Sequence, residues 1–416
     1  MHEFKFRGNQ LYCEGIKIQE VAERFGTPLY VYSYSTFINH YLKLKKAFGP
    51  IKPLICYSVK ANSNLSILKA LVAKGAGLDI VSGGELFRAL KAGCPPSKIV
   101  YASVGKTDSE IREAIKKGIL FFNVESLPEL KNINHIARRL KKVVNVALRI
   151  NPDVEPGTHH YITTGKLTNK FGIDFETAKK IIDSSRKLAN IRIKGMHIHI
   201  GSQITIARPF VEAIKKVTVF INRLKAEGIR IEYLNIGGGL GIVYKKETPQ
   251  TAVEFAHKVL PILKKSGLKI IMEPGRFIIG SAAILVAKVL YVKKTPLKKF
   301  VIVDAGMNDL IRPSLYDAHH EIVTLVRSGS DAEKVEVVGP ICESGDFLAK
   351  ERTMPKVKEG DYLAVMCAGA YGFSMASNYN SRRRPAEVMV KGKSVFLIRS
   401  RETLEDLVRN EKTLKT

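Results

Sequence analysis

The 416-residue chain has no tryptophan, only five cysteines, and no unbroken apolar run long enough to cross a bilayer. A spanning helix needs about 20 apolar residues. The longest apolar stretch here, Phe277 through Leu290, is interrupted by Gly280, Ser281 and Lys288. The opening residues MHEFKFRGNQ lack the apolar segment of a secretory signal. Cys13, Cys56, Cys94, Cys342 and Cys367 form no CxxC pair, and their odd number and wide spacing imply reduced thiols. This argues against a disulfide framework or structural zinc, no metal is expected, and a cytoplasmic location is.

Acidic residues are the other shortage, 39 Asp and Glu against 67 Lys and Arg, for a formal charge of +28. Such an excess raises nucleic-acid binding. Yet the lysines are scattered over expected helix faces (Lys43, Lys45, Lys46; Lys116, Lys117; Lys264, Lys265), and no basic tract is interleaved with aromatics. The charge therefore reads as a solvated surface that attracts anionic small molecules. Neither nucleic acid nor membrane is expected as a partner.

What is present is a regular alternation. Short β-branched runs at 54–59, 77–81, 99–103, 120–124, 144–150, 193–200, 231–236 and 269–272 are separated by amphipathic stretches. Eight such units in about 220 residues have the count and length of a (β/α)8 barrel. Near-continuous apolar strands fit a parallel sheet buried on both faces. After Glu273, strand-like runs follow one another without helices, at 277–292, 300–304, 321–326, 334–338, 362–366 and 387–399. The expected fold class is thus α/β plus all-β, a TIM-type barrel with a C-terminal antiparallel β-barrel or sandwich. The barrel is expected over 37–275. The β domain takes 276–416 together with 1–36, whose segments 4–6 and 30–32 also read as extended.

Catalytic residues of such barrels gather at the C-terminal ends of strands, and here those ends are polar. Lys60 follows strand one, and a lysine at a barrel mouth can lose its proton and attack a carbonyl; alone it reads as a surface lysine. Gly237, Gly238 and Gly239 after strand seven let backbone N–H groups approach an anion such as phosphate, with a plain tight turn as the lesser alternative. Glu273 ends strand eight and could hold the protonated ring nitrogen of an aromatic cofactor, or simply pair with Arg276. His197 and His199 share one face of strand six, as core residues, as metal ligands of a hydrolase barrel, or with one covering a cofactor. No further His or Asp at the other strand ends completes a metal set. One cofactor accounts for all these strand ends together.

The segments YSVKAN (57–62), HIHIGSQ (197–203), GGGLG (237–241), EPGR (273–276), RPSLY (312–316), CESGD (342–346) and YGFSMASNYN (371–380) resemble the cofactor and substrate motifs of the fold-type III pyridoxal-phosphate decarboxylases. Within that alanine racemase-like group they are most similar to the diaminopimelate decarboxylases, and the likeness covers essentially the whole chain. The resemblance implies pyridoxal 5'-phosphate as cofactor and a carboxy-lyase that converts meso-2,6-diaminopimelate to L-lysine and carbon dioxide, the last step of lysine biosynthesis. It implies that Lys60 carries the cofactor covalently, that His199 stacks on its ring, and that Glu273 holds its nitrogen. Ser202, Gly237, Gly238, Gly239, Glu273, Pro274, Gly275, Arg276 and Tyr371 would surround the cofactor. Arg276, Arg312, Tyr316, Glu343 and Tyr371 would hold the substrate. Cys342 would donate a proton and, with Glu343, would come from the partner subunit of a homodimer.

Physical reasoning supports the substrate choice. Diaminopimelate has a second carboxylate and a second ammonium, for which Arg312 with Tyr316 and Glu343 are suited partners. A decarboxylase of ornithine, lysine or arginine has no distal carboxylate, so Arg312 would be left as a costly buried charge. A cysteine beside Glu343 and Asp346 suits a proton donor better than a nucleophile. A non-enzymatic cofactor carrier on the same barrel is a further alternative, but it needs no second domain bearing Cys342 and Tyr371.

Overall fold

The computed structural model describes residues 2–155, 170–327, 329 and 331–414. The chain divides into two compact units, one of Met1–Asn39, Val243–Lys246 and Ile279–Thr416, the other of His40–Ile242 and Glu247–Ile278.

The second unit is a closed barrel of eight parallel strands, Leu54–Ser58, Gly77–Ile80, Ile99–Tyr101, Phe121–Val124, Val144–Ile150, Ile191–Ile198, Tyr233–Asn235 and Lys269–Met272, each paired with the next in the chain. The ring closes where Ile271 and Met272 pair with Leu54 and Ile55. Parallel strands need long crossovers, and here the crossovers are helices with deliberate starts. Asn64, Ser82, Thr107, Ser126, Asp174 and Thr251 each accept a hydrogen bond from an N–H of the first turn of the helix they precede. Cys56, Val100, Phe121, Ala147 and Ile271 fill the barrel floor, packed by Leu54, Leu120 and Tyr233. That filled floor leaves polar side chains at the strands' C-terminal ends as the place for chemistry.

The first unit is a nine-stranded sheet, with seven strands in the order Phe347–Pro355, Ala332–Val338, Lys299–Val303, Ala283–Lys294, Leu29–Ser33, Ala386–Lys391 and Ser394–Arg399. Tyr362–Val365 pairs with Ala283–Lys294 and with Ile322–Thr324. A three-stranded antiparallel sheet, Phe4–Arg7, Gln10–Cys13 and Ile16–Lys17, accompanies it. The core between them is apolar, including Leu11, Ile18, Val31, Ile284, Val286 and Val388.

The β-rich second half matches the expected class, with three differences. Two pairings are parallel, Leu29–Ser33 with Ala386–Lys391 and Lys299–Val303 with Ala332–Val338. Residues Arg276–Ile279 are helical rather than extended, because the Ile278 N–H folds back onto the Gly275 carbonyl at 3.0 Å. The strand Phe347–Pro355 lies where the sequence reads charged and irregular; pairing along Ala332–Val338 overrides its weak propensity.

Candidate active site

Lys60 sits in a single 3-10 turn directly after the first barrel strand. Its Nζ lies 3.5 Å from Oδ2 of Asp79, which rises fully buried from the second strand. The Ser58 hydroxyl lies 2.6 Å from that same oxygen and 3.0 Å from the Glu273 carbonyl. The first, second and eighth strands thus converge on one polar centre.

Glu273 is the anchor of that centre. Its Oε1 accepts from Nδ2 of Asn123 at 3.1 Å and of Asn235 at 2.5 Å, and its Oε2 lies 3.1 Å from Nε2 of His197. Burial works to raise its pKa, but His197, Lys60 and Asn235 outweigh burial and hold the carboxyl well below its ordinary range. Asp79 goes the other way. Burial and the Glu273 charge, against the opposing pull of Lys60, push it up to about 6. Of two buried acids facing one lysine, Glu273 holds the permanent negative charge, and environments that separate two acids in this way assign them different roles.

His199 is half-buried beyond the end of the sixth strand. Its Nδ1 accepts the Gly238 N–H at 3.2 Å. Burial first, and then the positive charges of Lys60 and Arg149, drive its pKa well below the usual histidine value, so the ring is neutral at physiological pH. Arg149 is buried and bonded to Glu125 at 2.8 Å.

The glycine loop is shaped by close approach. A Cβ at Gly238 would meet the Glu273 carbonyl oxygen at 2.1 Å, and Gly239 has φ +104° with the Gly201 oxygen 2.4 Å from where a Cβ would stand. Only glycine fits either position. The Glu273 N–H donates to the Gly237 carbonyl at 2.7 Å, tying loop to strand eight. Arg276, buried, donates to the Ser202 hydroxyl at 3.1 Å. Lys60, His199, Ser202, Gly237–Gly239 and Glu273–Arg276 therefore gather at the C-terminal end of one barrel. A glycine cradle, an ionised carboxylate ready to face a ring nitrogen, a neutral imidazole and a lysine fit pyridoxal phosphate. The histidine pair is committed to Glu273 and Gly238, and among the described residues no group of three His, Cys, Asp or Glu side chains is placed to hold a metal.

The remaining predicted residues belong to the β unit. Arg312 and Tyr316 lie on a short helix, Arg312–Tyr316. The Arg312 guanidinium is buried, lies 4.6 Å over the Tyr244 ring, and donates to Nε2 of His320 at 2.9 Å. His320 in turn donates from Nδ1 to the Met366 carbonyl at 2.8 Å, which fixes its tautomer. Cys342 and Glu343 are exposed. Their loop is held by Asn380 Oδ1, which accepts the Cys342 N–H at 2.7 Å, and by the buried Asp346, which accepts from the Ile341 and Met307 amides at 2.6 Å each. Asp346 therefore organises the loop from inside. Ser314 donates to the Gly345 carbonyl at 2.6 Å, joining the Arg312 helix to the Cys342 loop. Tyr371 occupies the left-handed region at φ +57°, a strained backbone of the kind found at functional positions.

Asp79, Asn123 and Asn235 were not among the expected site residues. Their signal was present: each is a polar residue inside a short apolar barrel strand, GLDI, FFNV and YLN. Such a residue is costly unless it has a partner.

Residues 34–280 match the family described as pyridoxal-dependent decarboxylase, pyridoxal binding domain. A diaminopimelate decarboxylase of Aquifex aeolicus is 49% identical over 97% of this chain and 96% of its own. The structure of diaminopimelate decarboxylase from M. jannaschii in co-complex with L-lysine superposes with TM-score 0.94 at 41% identity, covering 100% of this chain and 99% of that one. The Helicobacter pylori diaminopimelate decarboxylase complexed with L-lysine gives TM-score 0.91 at 43% identity, covering 95% and 99%.

Proposed function

The chain belongs to the pyridoxal-dependent decarboxylases, standing among the diaminopimelate decarboxylases, and from that premise we propose that it releases carbon dioxide from meso-2,6-diaminopimelate to leave L-lysine. The observation that carries the reading is Glu273, a buried carboxylate at the end of strand eight, bonded to Asn123, Asn235 and His197 and held well below its ordinary range by His197 and Lys60. Pyridoxal phosphate, when bound, supplies an electron sink for the pair left behind by carbon dioxide.

Lys60 would hold the cofactor covalently. Glu273 would keep its ring nitrogen protonated, and neutral His199 would cover its ring. Gly237, Gly238, Gly239, Ser202, Tyr371 and the Glu273–Arg276 segment would hold its phosphate. Arg276 and Tyr371 take the reacting end of the substrate. Arg312 and Tyr316 take the far carboxylate, and Glu343 the far ammonium. Cys342, exposed on a braced loop, delivers the proton that replaces carbon dioxide.

Residues 37–275 serve the cofactor, and residues 1–36 with 276–416 serve the substrate. Cys342 and Glu343 act on the partner's barrel in a homodimer. The proposed location is the cytoplasm, in keeping with five cysteines that form no disulfide.

The test is carbon dioxide release from meso-diaminopimelate, lysine and ornithine, alongside visible absorbance of the lysine-bound cofactor. Release from diaminopimelate, with absorbance lost in Lys60→Ala, is expected. Release from lysine and ornithine alone would overturn the substrate. Mixing the inactive Lys60→Ala and Cys342→Ala proteins should restore about a quarter of wild-type activity if sites are shared across a two-fold dimer. No recovery after subunit exchange would refute the shared site.

A further inference from the structure

The glycine loop after strand seven does not stand alone. It is zipped to residues 201–205, which follow strand six. The Ile204 N–H donates to the Gly239 carbonyl at 2.9 Å, the Gly241 N–H donates to the Ile204 carbonyl at 3.0 Å, and Ile204 and Leu240 form a parallel bridge. The next rung is not backbone to backbone. Gln203 supplies it with its side-chain amide, Nε2 donating to the Ile242 carbonyl at 2.6 Å and Oε1 accepting the Ile242 N–H at 3.1 Å. Both backbone polar groups of Ile242 are matched by one carboxamide, as a neighbouring strand would match them.

Gln203 does this from a left-handed backbone at φ +61°. That conformation is unfavourable for a residue with a side chain and easy for glycine. A loop that needed only the bend would be served by glycine; here the bend carries an amide that clamps the neighbouring loop. The clamp closes the far side of the loop whose Gly239 backbone already lies against the Gly201 carbonyl. Freed from Ile242, residues 237–241 would keep their bonds to Ile204 but lose the anchor at their C-terminal end.

We infer that Gln203 is a positioning residue that fixes the glycine loop in its anion-binding shape, and so sets affinity for the cofactor through its phosphate rather than through its ring. This rests on the reading above that the loop holds the phosphate.

The experiment titrates apo wild type, Gln203→Ala and Gln203→Gly with pyridoxal phosphate and, separately, with pyridoxal, which lacks the phosphate. Visible absorbance of the lysine-bound form is the readout. Loss of two hydrogen bonds predicts pyridoxal-phosphate affinity about 10- to 30-fold weaker in both variants, with pyridoxal affinity unchanged. Should the alanine variant fail to fold, Gln203→Glu carries the same expectation, because it keeps the shape but sets a carboxylate against the Ile242 carbonyl. Wild-type affinity in Gln203→Gly would overturn the inference by showing that the bend alone suffices. An equal loss for both ligands would overturn it too, since damage would then be general. A wild type with no Lys60-dependent absorbance would instead remove the cofactor reading beneath it.

Discussion

Replacing Glu273 by glutamine tests the centre of the site with almost no change of shape. The carboxylate accepts from Asn123 and Asn235 through Oε1 and faces His197 Nε2 through Oε2. A glutamine that keeps its oxygen toward both asparagines turns its amide nitrogen toward His197, setting donor against donor. The imidazole can escape only by moving its proton to Nδ1, which is buried and has no hydrogen-bond partner in the fold. Either arrangement leaves a buried donor unsatisfied, at about 1–3 kcal/mol. The apoprotein should be destabilised by that amount in urea at neutral pH.

The charge matters separately. Because Glu273 is held below its ordinary 4.5, its stabilisation is present above that value and is lost as pH falls below it. The variant should therefore lack part of the wild-type acid destabilisation below pH 4.5. With no fixed anion at the ring nitrogen, kcat for carbon dioxide release should fall by about 10²- to 10³-fold at saturating cofactor. Unchanged kcat in Glu273→Gln would refute the role assigned to the carboxylate. Unchanged stability would refute the hydrogen-bond accounting.

Three further outcomes are expected. Cys342→Ala should lower turnover by about 10²- to 10⁴-fold and leave cofactor absorbance intact; wild-type kinetics would remove Cys342 from the mechanism. Arg312→Met should weaken diaminopimelate use by about 10- to 100-fold in kcat/KM, the worth of a charge-assisted pair, and an unaffected kcat/KM would place the far carboxylate elsewhere. Asp79 titrates at about 6 in the fold against an ordinary 3.8. Its ionisation is penalised, so its contribution to stability is greatest below 3.8 and is lost as pH rises through 6, by about 3 kcal/mol. Asp79→Asn apoprotein should lack that decline in urea-melt stability between pH 4 and 7, and an undiminished decline would assign it to other groups.

The parts of this protein that were legible in its sequence are those where geometry leaves one choice per position. Parallel barrel strands are buried on both faces, so they read as apolar runs, and the first residue past each run stands at the mouth. That is how Lys60, the glycines and Glu273 could be placed from sequence, while His199 was read inside strand six, on the same face as His197. The second unit was harder because its centre is assembled from distant pieces. Leu29–Ser33 reads as extended, but nothing local places it between Ala283–Lys294 and Ala386–Lys391. The same distance hid the setting of Asp79, whose pKa is raised by burial and then by the charge of Glu273, far along the chain and adjacent only after the barrel closes. It also hid Gln203, whose amide meets Ile242 only once two loops lie side by side. Within the barrel, what could not be read is of one kind: it is the charge and hydrogen-bond coupling that barrel closure creates. Substitutions at Asp79 and Gln203 perturb that coupling without changing the identity of any residue singled out at the strand ends.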